Sequence, residues 1–308
     1  MYGGRMICLP SSEICRLVTS GTTGERKRIA FSKGDIDATL AFFKAGMGHL
    51  SFDSEHIGIF MPSETEFGVG DLLSKALVAI GRSPFAYGPI YNYEDAATFC
   101  AQHQISFLIG IPSQIRRLAL TCPELKIRAV LLSADFISHS LKTCIEETWG
   151  CTVYRHYGLT EAGLGCAVEL PGRNGMYVRQ DIFLEEEKGE ILITTLEREA
   201  MPLIRYRTGD MGRLNLSHDL VEVFGRKTEL QKLVPIYLLD EWLFSNPNIL
   251  DFEAFMHNNV LNIRVVGDIE SAAQRLRNIS FLSKIELAFS SGEVTVSNGR
   301  LKRSVQMM

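Results

Sequence analysis

From Cys15 to Gly158 the chain alternates short apolar runs with amphipathic stretches, and this alternation constrains the fold more than any other feature of its 308 residues. HIGIFM, ISFLIGI, RAVLLSA and TVYRHYG are brief and rich in β-branched and aromatic residues, as buried strands are. Between them lie helical patterns. In SKGDIDATLAFFKAGMGHL, Ile36, Leu40, Phe43 and Met47 recur at helical spacing behind Ser32 as N-cap. FGVGDLLSKALVAIG, DAATFCAQHQ, PSQIRRLAL and SHSLKTCIEETWG read the same way, and Pro112 suits the first turn of its helix. Strands alternating with helices predict a largely parallel sheet covered on both faces.

The texture changes after Gly158. From Met176 to Phe224, MYVRQDIFLEEE, GEILITTLERE, PLIRYRTGD and LVEVFG are strand-like with short turns, predicting a β-rich subdomain over about 166–225. It changes again after Gly225. VPIYLLDEWLF reads as a helix, ILDFEAFM and NIRVVG as strands, DIESAAQRLRN as a helix, and KIELAFS with EVTVS as a hairpin turning at Ser291-Gly292. The expectation is an α/β large domain over 1–225 and a small, mobile α+β domain over 226–308. A length about twice that of a typical single domain agrees.

Composition narrows the class. Hydrophobic residues make up 46% and charged residues 22%, which excludes a disordered or coiled-coil chain. With 36 acidic against 32 basic residues, the net charge of −4 argues against a general nucleic-acid binder. None of the seven cysteines forms a C-x-x-C pair, so a disulfide frame is not indicated. No window approaches the roughly 20 apolar residues that cross a bilayer, and no membrane insertion is expected. A cytoplasmic protein with small buried cysteines is the expectation.

Four segments carry chemistry. VTSGTTGERK (18–27) offers two glycines among hydroxyl side chains, a loop whose N–H and O–H groups can donate to phosphate oxygens, with Lys27 as a point charge. It does not fit the Walker A spacing. HYGLTEAG (156–163) follows a strand, where open α/β sheets place ligands; Thr160 offers a hydroxyl, Glu161 a hard oxygen for Mg²⁺, and Tyr157 a flat face. YRTGD (206–210) can aim Asp210 at two vicinal hydroxyls. FGRKTELQK (224–232) sets Arg226, Lys227 and Lys232 around Glu229. Taken singly, each is equally a polar surface loop, a capped turn, a hairpin turn or a charged linker.

In this order and spacing the four segments resemble the adenylate-forming superfamily, and HYGLTEAGLG with MPLIRYRTGD is most similar to its phenylacetate-CoA ligase branch. LIGIPSQIRRLA (108–119) resembles the segment lining the acyl pocket, and LLSADF (131–136) the segment touching adenine. The resemblance implies an acyl-CoA synthetase-like fold, MgATP-dependent activation of a small carboxylic acid to an acyl-adenylate, and coenzyme A as acceptor. It implies that Ser20, Gly21, Thr22, Thr23, Gly24 and Lys27 hold phosphates, and that Ser133, Ala134, Asp135, His156, Tyr157 and Gly158 surround the adenine. By the same resemblance Thr160 binds the α-phosphate and Glu161 Mg²⁺, while Asp210 takes the ribose hydroxyls beside Arg226. Ile111, Pro112, Gly163, Leu164 and Gly165 would border the acyl pocket, and Glu229 would occupy the hinge of the small domain.

NGRLKRSV resembles the segment that carries the family's catalytic lysine; Arg300 falls at the lysine position and Lys302 two residues later. An arginine differs from lysine in shape and hydration. Arg26 stands where the family loop has proline and Arg28 where it has glycine, and after Lys232 the family's glycine is absent. Two alternatives therefore stand beside the CoA ligase: an adenylating enzyme without the CoA step, and a catalytically weak nucleotide-binding accessory protein. No structural zinc is expected. The phosphate loop begins at Thr19, earlier than in the family. A second copy of the chain or a partner is expected to cover that N-terminal side.

Overall fold

The computed structural model describes residues 7–10, 15–19, 27–50, 55–172, 175–294 and 303–307. Its centre is a parallel sheet built from β3 (His56–Phe60), β4 (Ser83–Ala86), β5 (Phe107–Gly110), β6 (Ala129–Leu132) and β7 (Thr152–Tyr157), in the spatial order β4-β3-β5-β6-β7. All four residues of β5 are buried, as they must be in a strand covered on both faces.

The covering helices are α1 (Lys33–Leu50), α2 (Val69–Ala79), α3 (Tyr93–Gln102), α4 (Pro112–Thr121) and α5 (His139–Trp149). Their ends follow local chemistry. Ser32 Oγ accepts from the Asp35 N–H at 3.0 Å while Asp35 Oδ2 accepts from the Ser32 N–H at 2.9 Å, a reciprocal capping box that opens α1. Pro112 occupies the first turn of α4, and Gly150 closes α5 in the left-handed conformation at φ 63°.

The β-rich stretch is not a separate sheet. Strand β8 (Ala167–Glu169) pairs antiparallel with β7, and β9 (Met176–Val178), β13 (Leu220–Arg226), β12 (Tyr206–Leu214), β11 (Glu190–Thr195) and β10 (Ile182–Glu187) continue outward, giving one sheet of 11 strands among the described residues. Parallel and antiparallel halves meet at β7, the strand that delivers His156 and Tyr157. A short ribbon, β1 (Cys15–Val18) against β2 (Arg28–Phe31), brackets the glycine-rich loop.

Strand β13 runs into a short helix, α6 (Lys227–Leu230), so the expected charged linker is structured. Beyond it lie α7 (Ile236–Leu243), β14 (Ile249–His257), β15 (Val260–Gly267), α8 (Ile269–Arg277), β16 (Glu286–Ser291) and β17 (Gln306–Met307). The four strands form a second sheet in the order β16-β15-β14-β17. Its hairpin turns at Asn258-Asn259, both at positive φ (47° and 63°), the geometry of a two-residue primed turn. The first arm of the hairpin expected at Ser291-Gly292 is β16, which pairs parallel with β15. The rest of its second arm, 295–297, lies outside the described residues.

The C-terminal module shares a core with the large sheet. One buried cluster contains Phe60, Leu108 and Leu132 together with Tyr237, Phe244 and Phe252. Through it passes Arg116 of α4, fully buried. Its guanidinium donates to the carbonyls of Ile249 (2.8 Å), Phe244 (3.0 Å), Leu250 (3.1 Å) and Asn246 (3.1 Å), and lies 4.4 Å from the Phe244 ring centre. Glu241 of α7 reaches back to accept from the N–H groups of His139 (2.6 Å) and Ser140 (2.9 Å) at the start of α5.

Candidate active site

A cleft of about 340 Å³ opens at the C-terminal end of β7, between the two halves of the large sheet and the C-terminal module. This is where open α/β sheets place ligands. Tyr157 ends β7, and its hydroxyl donates to Asp210 Oδ2 at 2.9 Å. Asp210 comes from β12, and its other oxygen lies 2.8 Å from Arg226 Nε, which ends β13. Arg226 also donates to the Thr208 carbonyl at 2.6 Å, and its own N–H is received by the Tyr237 hydroxyl at 2.8 Å. Three segments remote in sequence thus place a phenol, a carboxylate and a guanidinium side by side. Burial pushes the Tyr157 phenol well above its ordinary range, and the charge of Asp210 adds to this. Tyr157 therefore stays a neutral donor.

The chain needs glycine at two positions here. At Gly158 a Cβ would fall 2.0 Å from the Leu164 carbonyl oxygen. At Gly225, with φ 120°, it would fall 2.1 Å from the Tyr237 ring.

Beyond the cleft a 3-10 turn, Thr160–Ala162, carries Glu161. Lys27 Nζ donates to the Tyr206 hydroxyl at 2.8 Å and lies 3.3 Å from Glu161 Oε1, and the Tyr206 hydroxyl donates to the same Glu161 oxygen at 3.0 Å. Desolvation pulls the Lys27 ammonium down, but the bond to Tyr206 and the charge of Glu161 outweigh it and hold its pKa above the usual lysine value. Both described bonds to Glu161 fall on Oε1. A hard carboxylate with its second oxygen outside that network fits Mg²⁺.

A family model described as AMP-binding enzyme matches residues 10–182, more than half of the chain. The chain belongs to the AMP-binding enzyme family. It is 25% identical over 238 residues to the phenylacetate-coenzyme A ligase of Pseudomonas putida, covering 69% of this chain and 53% of that one. It is likewise 25% identical over 235 residues to the phenylacetate-coenzyme A ligase of Thermus thermophilus, covering 68% and 52%. It spans about half the length of these curated relatives. Among solved structures, 2-hydroxyisobutyryl-CoA ligase in its postadenylation state superposes with a TM-score of 0.75 at 15% identity, over 99% of this chain and 75% of that one, and shares the fold.

In this AMP-binding frame the sequence motifs fall as follows. Ala134, Asp135, His156, Tyr157, Gly158, Asp210, Arg226 and Glu229 all line the cleft. Ser133 does not; its hydroxyl lies 2.8 Å from His156 Nδ1, on the far side of that ring. Gly163, Leu164 and Gly165 form the turn after Glu161, with φ of 84° and 66° at the first two. Ile111 and Pro112 are buried at the start of α4, and Ile111 faces a different cleft, beside the C-terminal module. Ser20, Gly21, Thr22, Thr23, Gly24, Arg300 and Lys302 lie outside the described residues.

Glu229 is buried. Its Oε1 accepts from the N–H groups of Ile236 (3.0 Å) and Val305 (3.2 Å), and Oε2 pairs with Lys232 at 2.7 Å.

Sequence reading missed Tyr206, Tyr237 and Arg303. Tyr206 heads the YRTGD motif, and that position was its signal. Arg303 donates its N–H to Asp135 Oδ2 at 2.8 Å, stitching the C-terminal tail to the cleft rim. Its guanidinium pairs with Asp240 and lies 4.2 Å from the Phe252 ring centre. Nothing in RSVQ signals this. No helix among the described residues is long and apolar enough to cross a membrane.

Proposed function

We propose that the chain activates a small carboxylic acid with MgATP. The carboxylate oxygen attacks the α-phosphorus, the bond to the bridging oxygen breaks, and pyrophosphate leaves, giving an acyl-adenylate. The single observation that carries this reading is the Tyr157–Asp210–Arg226 cluster in the cleft. One donor, Tyr157, and one ion pair, to Arg226, fix the orientation in which Asp210 would meet vicinal ribose hydroxyls, and Tyr157 would wall the base side. Lys27 and Thr160 would neutralise phosphate charge and Glu161 would hold Mg²⁺, which supplies charge stabilisation at the transferring phosphorus.

Coenzyme A would then take the acyl group, its thiolate attacking the acyl carbon as AMP departs with the bonding pair. The phenylacetate-CoA ligases among the relatives support this acceptor.

One observation favours a second reading, adenylation without the CoA step. Arg116 and Glu241 tie the C-terminal module to the large sheet, and Glu229 at the proposed hinge is fully engaged. A module held this way resists the rotation that the CoA step demands.

ATP–pyrophosphate exchange over a panel of carboxylic acids tests adenylation, and CoA-dependent AMP release separates the two readings. ATP binding without exchange for any acid would leave only a nucleotide-binding protein.

A further inference from the structure

The Glu161 carboxylate is held only as well as the turn that bears it. The N–H groups of Ala162, Gly163 and Leu164 close that turn on the carbonyls of Leu159 and Thr160. The Glu161 carbonyl is taken from a distant segment. The Arg198 guanidinium donates to it at 2.8 Å through Nη1, and to the Ala30 carbonyl at 3.0 Å through Nη2. Ala30 lies on β2, the strand that follows Lys27. One planar group thus spans from the phosphate-side strand to the turn that carries the metal carboxylate.

Arg198 is itself fixed. It belongs to the connection between β11 and β12, and the next two N–H groups, of Glu199 (2.9 Å) and Ala200 (3.2 Å), are received by the carboxylate of Asp35, which caps α1. Its guanidinium carbon lies 4.2 Å from the ring centre of Phe31, which is fully buried. Nε is buried and has no hydrogen-bond partner among the described residues. Withdrawing a cation from water costs free energy that a neutral donor would not incur. A neutral donor does hold the far end of the same turn: the Thr39 hydroxyl donates to the Gly163 carbonyl at 3.1 Å. What the guanidinium adds is a rigid fork, whose two donors set the spacing of two backbone segments in a way a flexible ammonium cannot. That spacing matters when a cation binds. The Lys27–Glu161 contact at 3.3 Å must loosen once Glu161 turns its charge to a metal, whereas the bonds of Arg198 fall on carbonyls and do not compete with it.

We propose that Arg198 is a positioning residue: it holds the Glu161 turn at a set distance from β2 and thereby sets the affinity of the nucleotide site for Mg²⁺. The inference rests on the MgATP reading above. Groups that orient a metal-binding side chain without touching the metal commonly change metal affinity about 10- to 100-fold when removed.

The test is calorimetric titration of ATP into the full chain at graded Mg²⁺ concentrations and in excess EDTA. Arg198→Met, which loses both bonds, should raise the half-saturating Mg²⁺ concentration by about 10-fold or more, while ATP affinity in EDTA moves much less. Arg198→Lys, which keeps the charge but not the fork, should fall between Arg198→Met and the wild type. A purely structural strut would weaken ATP binding equally with and without Mg²⁺, and that result would overturn the proposal. So would wild-type Mg²⁺ dependence in both variants, or ATP binding by the wild type that ignores Mg²⁺. Should Arg198→Met not fold, Arg198→Lys decides alone: a raised Mg²⁺ requirement with little change in EDTA supports the positioning role, and an unchanged requirement contradicts it. Failure of the adenylation reading has a different signature, Mg²⁺-dependent ATP binding with no pyrophosphate exchange for any acid, and leaves these titrations standing.

Discussion

Two sets of charged contacts in the molecule are built on opposite plans. At the Glu161 turn, Lys27, Tyr206 and Glu161 pair side chain to side chain, and the Lys27 side chain is 54% exposed. On the module side, Arg116 is fully buried and spends its guanidinium on four backbone carbonyls. Side chains that bond to one another near solvent can trade partners when a phosphate or cation arrives. A guanidinium that terminates four carbonyls has nothing to trade. The first cluster reads as chemistry, the second as construction.

The sharpest way to break that comparison is at Arg116. Arg116→Leu leaves four carbonyls without their donor and should cost about 3 kcal/mol or more of unfolding free energy by urea titration. Glu161→Gln should do the reverse: a loss of about 100-fold in pyrophosphate exchange, with the urea midpoint close to wild type. If the two variants exchanged phenotypes, the division between chemistry and construction would fail.

Gly225→Ala sits between these extremes. Its Cβ would overlap the Tyr237 ring and its φ of 120° disfavours any side chain. About 1–3 kcal/mol of stability should be lost, with weaker nucleotide binding by calorimetry, because Arg226 hangs on Tyr237.

The smallest effect concerns Asp240. Burial raises its pKa to about 7, and the nearby charges of Asp135 and Asp251 add to this against the opposing pull of Arg303. A carboxyl whose pKa is higher folded than unfolded stabilises the fold while it holds its proton. That contribution is lost as pH rises through about 7. The melting temperature should therefore fall as pH rises from about 4 to about 7 and level off above that, and Asp240→Asn should flatten the profile.

What was legible in the sequence was local. Ser32 and Pro112 announced their helices because capping and first-turn chemistry act within four residues. The motif residues of the cleft were legible because each sits at a strand end or turn. Asn258-Asn259 between two apolar runs is a readable hairpin signal. Arg116 was not readable. A lone arginine in PSQIRRLAL looks solvated until a segment more than a hundred residues away folds over it. The joining of parallel and antiparallel strands into one sheet was hidden for the same reason, since it depends on β7 pairing with β8 across the Glu161 turn.

The account turns on whether the cleft performs adenylation. ATP–pyrophosphate exchange across a mixed carboxylic-acid library, with mass spectrometry of the acyl-AMP formed, asks this most directly. Acid-dependent exchange that is lost in Glu161→Gln and in Asp210→Ala is the result predicted. Tight ATP binding with no exchange for any acid would contradict it.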